Sequence, residues 1–214
     1  MRALVKPNAG PGLELMERPE PVVGPADGKL PGPRTRPWRR GLTRCLPVGA
    51  AGQPQAIKAV APGFDGFARL AYDVGEFGNG IRMQLVANLL VAIHNVSTAE
   101  ALLMGVRSGL DAAMVVKVVA DGAGGSRMFQ VRGPTMVKRN WDKATMKVST
   151  WQKDMRLIND ALQATDTPAP LFSASMPIYN AAMALGHGMD DTAAVYAVVE
   201  HMIGVPVPKA KTKK

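Results

Sequence analysis

Residues 80–107 constrain this chain more than any other stretch. "GEFGNGIRMQLVANLL", residues 75–90, opens on a glycine pair, Gly78 and Gly80, and leads into a long apolar run without proline. That pattern predicts one long helix over 80–107. The helix carries an anomaly. With Gln84 at zero and about 100° per residue, Asn88 falls at about 40°, Asn95 at about 20° and Thr98 at about −40°. Leu85, Leu89, Ala92, Ile93 and Val96 form an apolar arc beside them. A narrow polar stripe on an apolar helix bonds neighbouring helices, faces water, or lines a pocket. A buried amide without a partner costs on the order of 1–3 kcal/mol, so the stripe needs an explanation.

The helical period recurs beyond residue 107. "SGLDAAMVVKVVAD" predicts a second helix, with Gly109 closing the first and Asp111 in the opening turn of the second. "GGSRMFQVR" predicts a short third helix and "ATMKVSTWQKDMRLINDALQAT" a long amphipathic fourth. "TPAPLFSASMPIYNAAMAL" begins with prolines at a helix entrance and stops at Gly186. "MDDTAAVYAVVEHMIG" predicts a last helix, with Asp190 and Asp191 at its N-terminal end, the favourable side of the dipole. Ahead of them, "AIKAVAPGFDGFARLAYDVG" reads as a short helix around 62–68 and a strand ending at Val74. No strand is evident after 75, so the fold class is mainly α.

The first 55 residues are a different text. Most of the 17 prolines lie early in the chain, and Pro and Gly interrupt every attempted period. From about Gly28 to Gln55 this composition predicts no stable structure. "RALV" and "LELM" form a candidate hairpin around "NAGPG". The net charge of +9 concentrates at the ends, since residues 61–208 hold 12 basic and 13 acidic residues, a net −1. A body built to grip phosphate would carry its basic stripe on the fold, so no nucleic-acid partner is expected, and Trp38 with Arg39 and Arg40 reads as irregular chain. No uninterrupted apolar run reaches the roughly 18 residues of a membrane span. No secretory pattern opens the chain. With one cysteine, Cys45, a disulfide framework is excluded. The expectation is a cytoplasmic protein without a membrane partner. His94 and His201 have no metal ligand at i+4, and with His187, in its Gly-rich turn, they read as core or surface histidines.

The segment "VGEFGNGIRMQLVANLLVAIHNVSTAEALLMGVRSGLD" strongly resembles the start of the C-terminal domain of the β-hydroxyacid dehydrogenases, the 3-hydroxyisobutyrate dehydrogenase and tartronate semialdehyde reductase group related to 6-phosphogluconate dehydrogenase. Their pattern is Gly-x-Gly-x-x-x-Lys-x-x-Asn-Asn, then an apolar run, Ala-Glu-Ala and Gly-Leu-Asp. Gly78, Gly80, Asn88, Ala99, Glu100, Ala101, Gly109, Leu110 and Asp111 match it. "GAGGSRMFQVRGP", the Lys153–Asp154 pair in "STWQKDMRLINDAL", and "PLFSASMPIYNAAMALGHGMDDTAAVYAVVE" resemble the later segments of the family, so the likeness runs from about 56 to 204. It implies a helical domain that closes the cleft of a Rossmann domain binding NAD or NADP and that builds a dimer. It implies Asn88 as a contact of a small 3-hydroxy-acid substrate and Lys153 as a cofactor contact. An amide suits a hydroxy acid because it both donates and accepts. Residues 1–29 faintly resemble the opening of the zinc alcohol dehydrogenases, whose metal motifs are absent further on.

Two departures bear on activity. The family's catalytic lysine falls on Gln84, which cannot carry a proton near pH 7, and positioned acid/base groups are worth roughly 10²–10⁴ in rate. Arg82 lies about 200° round the helix and stays charged; the second amide of the family pair is Ala87. A dinucleotide fingerprint, Gly-x-Gly-x-x-Gly between strand and helix, is also missing. "GNGIRM" opens the second domain and "DGAGGS" comes after a helix. The expected organisation is an irregular segment at 1–55, a remnant of the last helix and strand of a Rossmann domain at 56–76, a helical dehydrogenase domain at 77–205 and a basic tail at 206–214. The expected function is a dehydrogenase-family domain inactive alone, a homodimer or a heterodimer with a full-length homologue. The alternatives are a non-catalytic dimerisation or regulatory module, or a rearranged gene product.

Overall fold

The computed structural model describes residues 2–5, 14–17, 46–64 and 68–204. Trp38, Arg39, Arg40, Cys45 and the basic tail lie outside these. The chain divides into two units, residues 1–48 with 62–71, and residues 49–61 with 72–214.

In the first unit, β1 (Arg2–Val5) pairs antiparallel with β2 (Glu14–Glu17), Arg2 opposite Glu17 and Val5 opposite Glu14. This is the expected hairpin, set one residue later in its second strand. The expectation of no stable structure from about Gly28 to Gln55 is corrected for residues 46–55, and residues 28–45 lie outside the described residues. Leu46–Ala50 is a strand, β3, and α1 runs Pro54–Phe64 rather than around 62–68. Proline at the first helical position loses no hydrogen bond, and its fixed φ suits the helix, so Pro54 starts α1 instead of marking coil. Strand β4 (Ala68–Asp73) is the neighbour of β3 in a second two-stranded sheet. Past the strand ends, Val74 N donates to Ala50 O at 2.8 Å and Gly52 N to Gly75 O at 2.8 Å. Both partners advance together, as in a parallel pair. The Rossmann-like remnant is therefore a strand–helix–strand unit, one strand longer than the sequence suggested.

The second unit is helical beyond this point. It contains α2 (Asn79–Arg107), α3 (Ala112–Asp121), α4 (Arg127–Lys138), α5 (Val148–Ala164), α6 (Pro170–Ala184) and α7 (Val195–Met202), with short 3-10 turns at His187–Met189 and Thr192–Ala194. The caps obey local chemistry. Asp111 accepts from Met114 N at 2.8 Å and Ser126 from Phe129 N at 3.0 Å, each satisfying a free N–H of a first turn. Gly78 precedes α2 with φ 96°, which a side chain would resist. Gly105 lets α3 approach, because a Cβ there would sit 2.9 Å from a Val115 methyl.

Helix α2 is the axle, in contact with α3, α4, α5, α6 and α7. It is long and apolar enough to cross a membrane by length and composition. Its second half is nevertheless core: Ala92, Val96, Ala99 and Leu102 pack with Phe129, Met136, Trp151, Phe172 and Tyr179.

A buried ion pair fastens the far side of the bundle. Asp191 and Arg132 have side chains 2% and 9% exposed and lie 2.7 Å apart. Asp191 Oδ2 also accepts from Thr145 N at 2.9 Å, Thr145 Oγ1 at 3.1 Å and Met146 N at 3.3 Å, while Oδ1 accepts from Ala193 N at 3.0 Å. The expected helix-end charge is real, since Asp191 caps the Thr192–Ala194 turn, but it is the smaller part of what the residue does. Asp191→Ala should destabilise the fold by about 3–5 kcal/mol, because Arg132 would remain buried without its counter-ion. Urea unfolding monitored by circular dichroism measures it, and a shift under about 1 kcal/mol would contradict the assignment.

Candidate functional site

The polar stripe of α2 changes character along its length. Gln84 is exposed and Asn88 half-buried, and neither side chain has a hydrogen-bond partner among the described residues. Seven residues on, Asn95 is fully buried, and Thr98 donates to His94 O at 2.6 Å. The outer half of the stripe is thus open to a ligand and the inner half belongs to the core. On this face α2 itself offers no lysine, histidine or carboxylate. Arg82, the nearest cation in sequence, donates to Asn79 Oδ1 at 3.1 Å.

Asn95 shows how the inner half is held. Tyr179 on α6 donates to the Ala92 carbonyl at 3.0 Å. Burial pushes the Tyr179 phenol well above its ordinary value, while Asn95, Arg132 and Trp151 pull it the other way. Asn95 and the Trp151 indole therefore lie against this hydroxyl, although neither meets hydrogen-bond geometry, and both remain buried without a bonded partner. The cluster fixes α2 against α5 and α6, and so sets where Gln84 and Asn88 emerge.

Lys153 lies on α5, which packs along α2. Its side chain is 67% exposed and its Nζ is 3.8 Å from Asp154 Oδ1. The structure therefore brings Gln84 and Asn88 together on one face and places Lys153 on an adjoining helix, with no hydrogen bond or ion pair to either. A glutamine amide and an asparagine amide can orient a hydroxy acid but cannot remove its proton.

Sequence reasoning missed several partnerships. His187 is buried in a 3-10 turn, with Nδ1 2.8 Å from Asp190 Oδ2 and its ring edge-on to Trp141. Asp190 thus serves a histidine rather than the helix dipole alone. Arg139 pairs with Glu200 and lies over Tyr196, with its guanidinium carbon 5.9 Å from the ring centre. Burial raises the Glu200 carboxyl and the adjacent Arg139 opposes that. His94 is half-buried and His201 exposed. Among the described residues no three of His, Cys, Asp and Glu gather as a metal site.

The described fold is thus a helical bundle packed round one long helix, α2, with a strand–helix–strand stub ahead of it in the chain. Residues 78–199 match the family model described as "NAD-binding of NADP-dependent 3-hydroxyisobutyrate dehydrogenase". The chain belongs to the β-hydroxyacid dehydrogenase family, whose members use NAD or NADP. An L-threonate dehydrogenase of Haemophilus influenzae is 30% identical over 198 residues, 92% of this chain and 60% of that protein. The chloroplastic glyoxylate/succinic semialdehyde reductase 2 of Arabidopsis thaliana is 32% identical over 145 residues, 68% of this chain and 40% of that one. A solved 3-hydroxyisobutyrate dehydrogenase from Salmonella typhimurium superposes with TM-score 0.64 at 28% identity, covering 69% of this chain and 52% of the other. The chain spans about half the length of the relatives it matches. The 92% coverage by L-threonate dehydrogenase reaches into the first 29 residues and leaves their likeness to zinc alcohol dehydrogenases unsupported.

The inner cluster predicts an alkaline signature. The Tyr179 phenol is raised in the folded state, so the fold keeps its proton while the unfolded chain loses it above pH about 10. This contribution is intact below that pH and is lost as pH rises beyond it. Tyr179→Phe should cost about 1 kcal/mol at neutral pH through the lost bond to Ala92 and should flatten the alkaline fall, both read from urea midpoints across a pH series.

Proposed function

We propose that this chain is the substrate-side helical domain of an NAD(P)-dependent dehydrogenase scaffold for a small 3-hydroxy acid, and that it has no turnover of its own. Asn88 is the substrate-contacting amide, Lys153 a cofactor contact, and Gln84 stands where the proton-carrying lysine belongs. The observation that carries the reading is the outer stripe of α2, where Gln84 and Asn88 share one accessible face one turn apart within the family match. Asn88 keeps the donor and acceptor that hold a hydroxyl or carboxylate. Gln84 is accessible but carries no exchangeable charge, and its face of α2 holds no titratable substitute. The assembly that accompanies this reading is a dimer, of the chain with itself or with a complete relative.

Family chemistry needs a nicotinamide, which would supply the hydride acceptor. Lys153 fits that role in kind, being a largely exposed ammonium with only a distant carboxylate neighbour. What the chain's own residues supply is binding and orientation at Asn88.

The purified 214-residue chain, mixed with NAD or NADP and 3-hydroxyisobutyrate or L-threonate, should give no reduced nicotinamide above a buffer control. Clear turnover would refute the assignment of Gln84. In a hybrid joining a relative's nucleotide domain to residues 78–204, Gln84→Lys should raise turnover by roughly 10²–10⁴ over the unmodified hybrid. Asn88→Ala in the lysine-bearing hybrid should mainly raise KM. No gain from the lysine would count against the site as placed.

A further inference from the structure

Three polar atoms in the middle of the bundle have no hydrogen-bond partner among the described residues. They are the amide oxygen and nitrogen of Asn95 on α2 and the indole Nε1 of Trp151 on α5. Both side chains are fully enclosed, Asn95 at 0% and Trp151 at 2% exposure. The Tyr179 hydroxyl lies against both, but its own hydrogen goes to the Ala92 carbonyl at 3.0 Å. It can accept from a neighbour and has nothing left to donate to Asn95 Oδ1. The indole N–H is the matching donor, yet it and the amide oxygen do not meet in hydrogen-bond geometry. One dry, unpaired polar atom is costly, and three together would rival the net stability of a domain this size. Ala92 and Ala99 flank Asn95 one turn away on either side, both buried, and contribute only a methyl each. The site is therefore polar at its centre and lined by small side chains along α2.

We propose that one water molecule is bound inside the bundle between α2 and α5, accepting from Trp151 Nε1 and donating to Asn95 Oδ1. Asn95 Nδ2 then donates to the Tyr179 hydroxyl oxygen. This arrangement pairs the indole N–H, both polar atoms of the amide and the phenol with a single ligand. Water is the ligand that the chemistry selects. An unpaired N–H facing an unpaired C=O needs one small group that accepts on one side and donates on the other. Buried waters occupy polar sites of this kind and typically make about three hydrogen bonds. An ion does not fit, because Asn95, Trp151 and Tyr179 are neutral and the neighbouring Arg132 is already matched by Asp191 at 2.7 Å. An apolar ligand would leave every one of these atoms unpaired. The bound water ties α2 to α5 by hydrogen bonds behind the outer stripe. It depends on nothing in the dehydrogenase reading, since no atom of Gln84 or Asn88 takes part.

Water–protein NMR on the full chain tests it. Labelling tryptophan with ¹⁵N gives indole signals from Trp38, Trp141 and Trp151, and Trp151→Phe identifies the last by its loss. A cross-peak between the Trp151 indole N–H and the water resonance is expected, with opposite signs in the laboratory-frame and rotating-frame experiments. That sign pattern marks a water held for longer than the molecule takes to tumble. Tyr179→Phe should keep the cross-peak, because the phenol hydrogen plays no part in holding the water. Its disappearance there would show magnetisation relayed through an exchanging hydroxyl and would overturn the proposal. Asn95→Leu removes the acceptor and should abolish the cross-peak, and a cross-peak that survives in a folded Asn95→Leu chain also overturns it. Circular dichroism identifies a variant that fails to fold. The unmodified chain then decides by crystallography, where a density peak within about 2.7–3.2 Å of both Trp151 Nε1 and Asn95 Oδ1 is expected. A direct bond between those two atoms would overturn the proposal.

Discussion

The carboxylate of Asp191 has almost no access to water, and the rest of the bundle is arranged so that it needs none. Its two oxygens accept from Arg132, Thr145, Met146 and Ala193. Those donors come from α4, from the segment before α5 and from the turn that starts α7. The backbone repeats the connection: Asp191 N donates to Trp141 O at 2.8 Å and Thr192 N to Met146 O at 3.0 Å. An ion taken out of water loses several kcal/mol of solvation, recovered only with near-complete coordination. The site has that coordination, so the chain from 139 to 147 is fixed without being a helix or strand. With α4, α5 and α7 held there, the core has a defined shape into which α2 is threaded.

Threaded this way, α2 has two lives. From Ala92 onward one side of it is buried, and the polar side chains on that side answer to the core. Thr98 folds back onto its own helix, while Asn95 leans on the Tyr179 hydroxyl. Before Ala92 the helix is largely uncovered, with Ile81, Met83, Val86 and Leu90 all exposed. Apolar residues on all sides of an uncovered helix are costly in water, at roughly 25 cal/mol per Å² left exposed. The outer half is therefore the part of the fold that other surfaces must complete.

The sequence carried the local chemistry well and the long-range chemistry poorly. Asp111, legible in the opening turn of its helix, caps α3, and Gly78, legible at the start of α2, takes a positive φ just before it. These depend on neighbours within four residues. The pairing of Asp191 with Arg132 spans 59 positions, and no period or spacing points to it. The strand at Leu46–Ala50 was hidden for a related reason. Its residues look like loop because Pro47 and Gly49 weaken strand propensity, and its partner β4 lies 18 or more residues on. The stripe was legible as a stripe, but its division at Ala92 into an open half and a buried half depends on which helices reach α2, a tertiary fact.

That division bears on the proposed site, in which Gln84 would take the place of a proton carrier without a change of shape. The position of Gln84 is set from behind, by Asn95, Tyr179 and Trp151, and none of these contacts depends on what residue 84 carries. A lysine and a glutamine have similar reach and helix propensity, so exchanging one for the other at an exposed position leaves the fold almost unaffected. Chemistry can therefore disappear from the outer half while every constraint on the inner half continues to hold.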